Sequence, residues 1–532
     1  MLRKKLILAA IGLTILFLVN NYNSSVQAFE RSTLRDLSGN LVDASNPATP
    51  IQHIIIIMNE NHAFDNFFGT YPGVPSGYNL NLSTCLPLKA GQASSTPCQS
   101  PFNADKMPQI QATDQCHTEQ CSAIDYDNGE MNGFLYGENT NRTMAYYDGS
   151  GIPQIWDLAS YFDLDYNFFS SAISYSEANH LFAVSANTPS YPFYNGNPES
   201  ESGLFLNFTY PEIGTELTEN GITWGYFQYN WNDSMDCTGN YTTQKDLFTG
   251  PGGDGYWEGE AQFRQVQNTD IECNSLGNIK DFENALSTNT LPQVSWVEPE
   301  PSESCHPGQG TLEACQLYTT SVIDDIEQSP EWAHSVTFLT FDEYGGYYDN
   351  VAPTEIDEWG DGFRVPLIAI SPYTISGLIG PCAESQTTGC APEFQYWNNY
   401  TQTGGTTSRE DFSAFLSTIE YNWGVKNLTD TDGEEPNLFY MLNFSQSPLA
   451  PLFFSDNYSQ AIYPLSSCYS SGGCKVGSSF DPLVTAPVAP WVLASAPSPS
   501  SGKVYAVYNA TTPSWAEPNS ESANYSGGDP DD

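Results

Sequence analysis

Basic residues are what this 532-residue chain has least of: 16 Lys and Arg stand against 63 Asp and Glu, the formal charge is -47, and only six histidines are present. Such a surface repels polyanions at neutral pH, which argues against nucleic acid as a partner. Charged residues of both signs make up just 15% of the chain, so the acidity is not the dense carboxylate coat of a salt-adapted protein. In strong acid most free carboxylates are neutral, and a chain with few bases then carries little positive charge to repel itself. The composition therefore points to an acidic extracellular habitat, with an ordinary anionic secreted protein as the alternative. After residue 28 no apolar run is long enough to cross a bilayer. Neither an internal repeat nor a clear linker divides the chain.

Arg3, Lys4 and Lys5 precede an apolar stretch over residues 6–19 and then Val26-Gln27-Ala28, the charged, apolar, small-residue order of a secretory signal. Residues 1–28 are thus expected to be a signal peptide, cleaved or kept as an N-terminal anchor, on a protein that is secreted or displayed at the cell surface. Residues 29–50 read as a lead-in, 51–485 as one catalytic domain, and 486–532, rich in Pro, Ser, Gly and Asp, as a disordered tail. Twelve cysteines in an exported chain favour disulfides over thiolate metal sites. Sequence neighbours pair Cys85 with Cys98, Cys116 with Cys121, Cys305 with Cys315, Cys382 with Cys390 and Cys468 with Cys474, leaving Cys237 and Cys273. Sequons recur, among them those at Asn141, Asn207, Asn240, Asn399 and Asn457, which suits a glycosylated extracellular surface.

Between residue 51 and about residue 424, apolar strand-like runs alternate with mixed segments, the pattern of α/β architecture. Ile54-Ile55-Ile56-Ile57-Met58 runs into Asn59-Glu60-Asn61, and Val336-Thr337-Phe338-Leu339-Thr340-Phe341 runs into Asp342-Glu343. Runs without polar alternation fit strands buried on both faces of a mostly parallel sheet, and such sheets bind ligands at the carboxyl ends of their strands. If both tips share one edge, Glu60, Asn61, Asp342 and Glu343 form an oxygen-rich pocket for a divalent cation, Mg, Ca, Mn or Zn. Residues 363–370 read as a third core strand, 318–327 and 409–423 as covering helices, and 70–115 and 230–275 as long disulfide-tied loops.

Several blocks, in order, resemble the bacterial phospholipase C and acid phosphatase family of phosphoesterases. Residues 52–73, opening Gln52-His53-Ile54 and continuing through Asn59-Glu60-Asn61-His62-Ala63-Phe64-Asp65, match its first signature. Asp114-Gln115-Cys116-His117, Gly129-Glu130-Met131-Asn132-Gly133-Phe134, Asn179-His180-Leu181-Phe182, Val294-Ser295-Trp296-Val297, Thr340-Phe341-Asp342-Glu343-Tyr344-Gly345-Gly346, Arg364-Val365-Pro366 and Ile419-Glu420-Tyr421-Asn422-Trp423-Gly424 are similar to later ones. The resemblance implies an alkaline-phosphatase-like α/β/α sandwich, a divalent metal held by Glu60, Asn61, Asp342 and Glu343, and a hydroxyl nucleophile that takes the phosphoryl group. It places that nucleophile at Thr188, with Ser185 and Ser190 as alternatives and Asn187 beside the phosphate. It makes His117 and His306, in Glu303-Ser304-Cys305-His306-Pro307-Gly308, phosphate donors or general acids, and His180 a phosphate contact or a loop support. His53, His62 and His334 remain structural or surface residues. Glu130, Asn132 and Tyr344 depart from the family's Lys, Asp and His.

The expected activity is hydrolysis of a phosphate ester, as an acid phosphatase or a phospholipase C, on a small molecule or a phospholipid head group, with aromatic loops suited to a membrane surface or cell wall. The competing reading is a non-catalytic, glycosylated cell-surface binding protein on a degenerate phosphoesterase fold. A sulfatase is disfavoured because no Cys-x-Pro-x-Arg segment is present.

Overall fold

A computed structural model describes residues 47–89, 97–108, 110–188, 208–229, 231, 259–267, 269–353, 361–375, 377–379, 410–454 and 461–462. The signal, the tail, most of the lead-in, Cys237, Cys382, Cys390, Cys468, Cys474, Ser190 and the sequons at Asn207, Asn240, Asn399 and Asn457 lie outside the described residues.

Eight strands form the main sheet: β1 His53–Asn59, β2 Asp163–Asp165, β3 Trp224–Gln228, β4 Leu276–Gly277, β5 Val294–Glu298, β6 Ser335–Phe341, β7 Leu367–Ile370 and β8 Gly377–Ile379. Their order is β8-β2-β7-β6-β1-β5-β3-β4. Every neighbouring pair is parallel except the two that involve β7. The apolar runs of β1 and β6 occupy the centre, where every residue of both strands is buried.

Five helices matter here: α1 Phe64–Phe68, α2 Pro153–Tyr161, α3 Ser176–Ser185, α4 Leu312–Gln328 and α5 Ser413–Trp423. Alternating side chains of one strand point to opposite faces. Asn59 accordingly donates to Thr319 of α4 at 3.3 Å, whereas Phe338 packs on Phe415 of α5 with ring centroids 5.8 Å apart. Helices on both faces of a mostly parallel sheet make the α/β/α sandwich that the sequence implied.

Both expected helices form. The first begins earlier, at Leu312, because the Thr311 hydroxyl caps it by accepting from Ala314 N at 3.1 Å; the second starts at Ser413 and closes at Gly424, with φ 63. The third strand is shorter than expected and runs antiparallel. Pro366 has no N–H for a ladder, and the Arg364 side chain is turned into a buried ion-pair cluster. Disulfides join Cys85 to Cys98, Cys116 to Cys121 and Cys305 to Cys315. The loop expected over 230–275 contains a short helix, Asp270–Ser275. Of the sequons named, Asn141 lies among the described residues, half-buried, with its side-chain Nδ2 buried without a hydrogen-bond partner. No helix among the described residues is long and apolar enough to cross a membrane.

Candidate metal and phosphate site

The register that sets Asn59 of β1 opposite Phe341 of β6 makes the next residues of both strands leave the same edge of the sheet. Asp342 N donates to Asn59 O at 2.9 Å, and Asn61 N donates to Asp342 Oδ1 at 2.8 Å, so the two tips are bonded to each other. Asn61 turns the chain with a φ of 63, a left-handed conformation that Asn tolerates better than most residues. Gly345, at φ 60, passes so close that a Cβ there would stand 2.1 Å from Asn61 O. Glu60, Asn61, Asp342 and Glu343 thus come together, all four completely buried.

The carboxamide of Asn61 sits at the centre. Oriented to satisfy both ends, its nitrogen reaches Glu343 Oε1 and Glu60 Oε2 at 3.1 Å each, and its oxygen faces His306 Nε2 at 3.2 Å. The other nitrogen of His306 donates to Pro307 O at 2.7 Å, and His117 Nδ1 donates to Gln115 O at 2.7 Å while its Nε2 lies 3.8 Å from Glu343 Oε1. A bond from Glu60 N to Ser304 O, 2.8 Å, ties the His306 loop to the first tip. Both expected working histidines therefore face the acidic cluster.

These carboxyls crowd one another. Burial, then the like charge of Asp342, raises Glu60 well above the usual carboxylate range against the pull of His180. Burial also raises Glu343, opposed by His117 and reinforced by Asp342. Asp342 Oδ2 has no hydrogen-bond partner although it is buried. An orphaned buried oxygen among crowded carboxyls is the electrostatic demand that a hard divalent cation meets, and the oxygen donors present fit one.

His180 lies beside this cluster rather than across from it. Its Nε2 is 3.1 Å from Glu60 Oε1 and its Nδ1 is 3.4 Å from Glu298 Oε1. Burial lowers the imidazole, but Glu298 and Glu60 outweigh it and raise His180 well above its ordinary value. Glu298 receives a bond from Tyr226 OH at 2.9 Å. Sequence reading missed Glu298, although it ends β5 as Asn59 and Phe341 end their strands; an apolar run stopping at an acid was the available signal.

A second missed residue is Ser176. As the first residue of α3 it donates to Glu60 Oε2 at 3.1 Å. Thr188 and Asn187 follow the other end of the same helix, past Ala186 at φ 47, about 14 Å away at 1.5 Å per residue for Ser185. Thr188 is buried, and the Ser185 hydroxyl faces the carbonyls of Leu181 and Asn187 at 2.7 Å each. His62 has a structural setting: it stacks on Phe67 and Tyr347, its nitrogens meet Asn66 Oδ1 and Cys305 O, and burial lowers it to about 3. Tyr344, the residue in place of the family's His, turns away from the cluster, donating to Asp125 Oδ2 and accepting from Ser122, both at 3.0 Å.

The chain is similar to a non-hemolytic phospholipase C of Pseudomonas aeruginosa, 25% identical over 67% of this chain and 54% of that one. It is also similar to phospholipase C A of Mycobacterium tuberculosis, 24% identical over 62% and 70%, and to non-specific phospholipase C3 of Arabidopsis thaliana, 22% identical over 62% and 65%. It spans about half the length of the Pseudomonas enzyme. Among solved structures, a member of the alkaline phosphatase superfamily from Vibrio parahaemolyticus matches over 84% of this chain and 92% of that one at 11% identity, with a TM-score of 0.31. The model of the phosphoesterase family matches residues 51–426, and the chain belongs to that family.

Proposed function

We propose that this chain is an exported, metal-dependent hydrolase of phosphate esters in which Ser176, rather than Thr188, is the nucleophile. The observation that carries the reading is the Ser176 hydroxyl held 3.1 Å from Glu60, at the edge of the buried acidic cluster that His306 and His117 face. Glu60, Asn61, Asp342 and Glu343 would hold the ion, whose chemistry is to neutralise the non-bridging phosphate oxygens.

The rest is done by the chain. Ser176 opens a ten-residue helix, so the unpaired backbone N–H groups of its first turn favour a phosphate at the same place. The Ser176 hydroxyl gives its proton to Glu60 Oε2, which it already faces, as its oxygen bonds to phosphorus; the ester P–O bond breaks, and the leaving alcohol takes a proton from His306 or His117. Water, giving one proton back to that histidine, then displaces the serine oxygen, which recovers its proton from Glu60, and phosphate or a phosphomonoester is released. His306 is the better placed donor, since Asn61 O faces its Nε2 while Pro307 O holds its Nδ1. The names of the relatives support a phospholipid substrate, and the scarcity of bases supports work in acid, where a monoesterase is the second reading.

Hydrolysis of a chromogenic phosphomonoester and release of diacylglycerol from phosphatidylcholine, each across pH 2 to 8, separate the two. Ser176→Ala should lower kcat by roughly a thousandfold or more, Thr188→Ala by less than about tenfold, and a chelator should abolish turnover. Wild-type turnover in Ser176→Ala would remove the serine from the mechanism.

A further inference from the structure

Helix α3 clasps Glu60 at both oxygens. Ser176 and His180 are four residues apart and so share a helix face; the first bonds to Glu60 Oε2 and the second to Glu60 Oε1, each at 3.1 Å. The hydroxyl can leave its bond to meet a substrate, whereas the imidazole is gripped from behind. Its other nitrogen lies 3.4 Å from Glu298 Oε1, and Tyr226 OH, one strand further out, donates to that same oxygen at 2.9 Å. The connected side chains Tyr226, Glu298, His180 and Glu60 thus cross three adjacent strands, β3, β5 and β1, through one helical residue. All four are nearly or wholly buried, so water cannot substitute for any of these bonds.

Resting on the reading of the site given above, we propose that Glu298 is a positioning residue: acting through His180, it fixes the direction in which Glu60 presents its carboxylate to a bound divalent cation. A carboxylate ligand is a flexible arm, and partners behind it set its orientation and with it the affinity for the ion. Without the Glu298 carboxylate the ring of His180 loses the charge that faces Nδ1 and with it the alignment in which Nε2 meets Glu60 Oε1. The same atoms admit one other role. Ligand atoms of Glu60, His180 and Glu298 all lie within 4.8 Å of one another, and Glu298 Oε2 is buried without a hydrogen-bond partner, so a second ion could be held there by Glu298 directly.

Calorimetric titration of the metal-free full chain with Mn²⁺ decides between them, read with the thermal midpoint of the metal-free protein. The expected result is one ion per chain for wild type and, for Glu298→Gln, still one ion at roughly 10–100-fold weaker affinity with an unchanged or higher midpoint. A residue that only supported the fold would lower the midpoint and leave the affinity alone. Tyr226→Phe, which removes the buttress but keeps Glu298, should weaken Mn²⁺ by a smaller factor and carries the test if Glu298→Gln does not fold. Wild-type affinity in a folded Glu298→Gln overturns the proposal, as does a fall from two ions to one, which would make Glu298 a ligand. Wild-type protein that binds no Mn²⁺ overturns the metal reading of the site itself, an outcome distinct from either.

Discussion

Asp165, Glu410 and Tyr440 make the fold's response to pH predictable from a hydrogen count. The Tyr440 oxygen lies 2.5 Å from Asp165 Oδ2 and 2.5 Å from Glu410 Oε2, and all three groups are buried. A phenol has one hydrogen to give, so one carboxyl must carry a proton of its own to make the second bond. Burial, before any other influence, raises both acids; Asp165 adds to the rise of Glu410, and Tyr440 opposes it in both. The surrounding titratable groups do not reverse this: Asp163 is itself raised by burial and by Asp165, Tyr166 is pushed up to about 12, and Arg364, which pulls Asp165 down, is already engaged by Asp65 and Asp349. Unfolded, both acids ionise near pH 4. The folded triad therefore holds one proton more than the unfolded chain from about pH 4 up to its raised folded pKa, and stability falls by about 1.4 kcal/mol for each pH unit across that window. Below pH 4 both states are protonated and this contribution is fully present. Asp165→Asn lets the amide nitrogen take the place of Oδ2 and donate to Tyr440, while the amide oxygen keeps the bond from Asn167 N, 2.6 Å in the native chain. The variant then needs no shared proton. Denaturant midpoints for wild type and Asp165→Asn at pH 3.5, 4.5, 5.5 and 6.5 should diverge as pH rises, the wild type losing about 1.4 kcal/mol more than the variant for each pH unit between about pH 4 and the raised folded pKa. Parallel curves would refute the shared proton.

Two further perturbations probe the frame of the site. Arg364 is wholly buried, with Nε 2.9 Å from Asp349 Oδ1, Nη2 3.2 Å from Asp65 Oδ1 and the guanidinium 4.6 Å over Phe64; Arg364→Met leaves two buried carboxylates unpaired and should cost about 3–5 kcal/mol of stability, so a denaturation midpoint equal to wild type would show the cluster to be inert. Gly345→Ala puts a Cβ 2.1 Å from Asn61 O at a φ of 60; the displaced Asn61 should lower kcat/KM on the order of a hundredfold with little change in global unfolding, and full activity would mean that Asn61 does not have to keep its place.

The strand tips were legible because burial on both faces writes itself into the sequence as uninterrupted apolar residues, and the first polar residues afterwards have nowhere to go but the sheet's edge. That rule placed Glu60, Asn61, Asp342 and Glu343. Applied once more, to Val294-Ser295-Trp296-Val297 running into Glu298, it would have found the carboxyl at a third strand tip. Ser176 was hidden for a different reason. The helix beginning there has hydroxyls at both ends, and the periodicity of an element that is buried all round does not say which end meets the sheet's carboxyl edge. Only the three-dimensional docking of α3 decides it. Arg364 and Asp65 are 299 positions apart, and the proton shared by Asp165 and Glu410 depends on a phenol from a third segment. Such contacts leave no local pattern, because their chemistry consists of long-range pairing. The scarcity of bases gains a structural meaning from them. A chain that stabilises buried carboxyls by sharing protons, as at Asp165, and uses its few guanidiniums and imidazoles where a cation must be permanent or aimed, as at Arg364 and His180, gains stability on acidification where an ordinary ion-paired fold loses it.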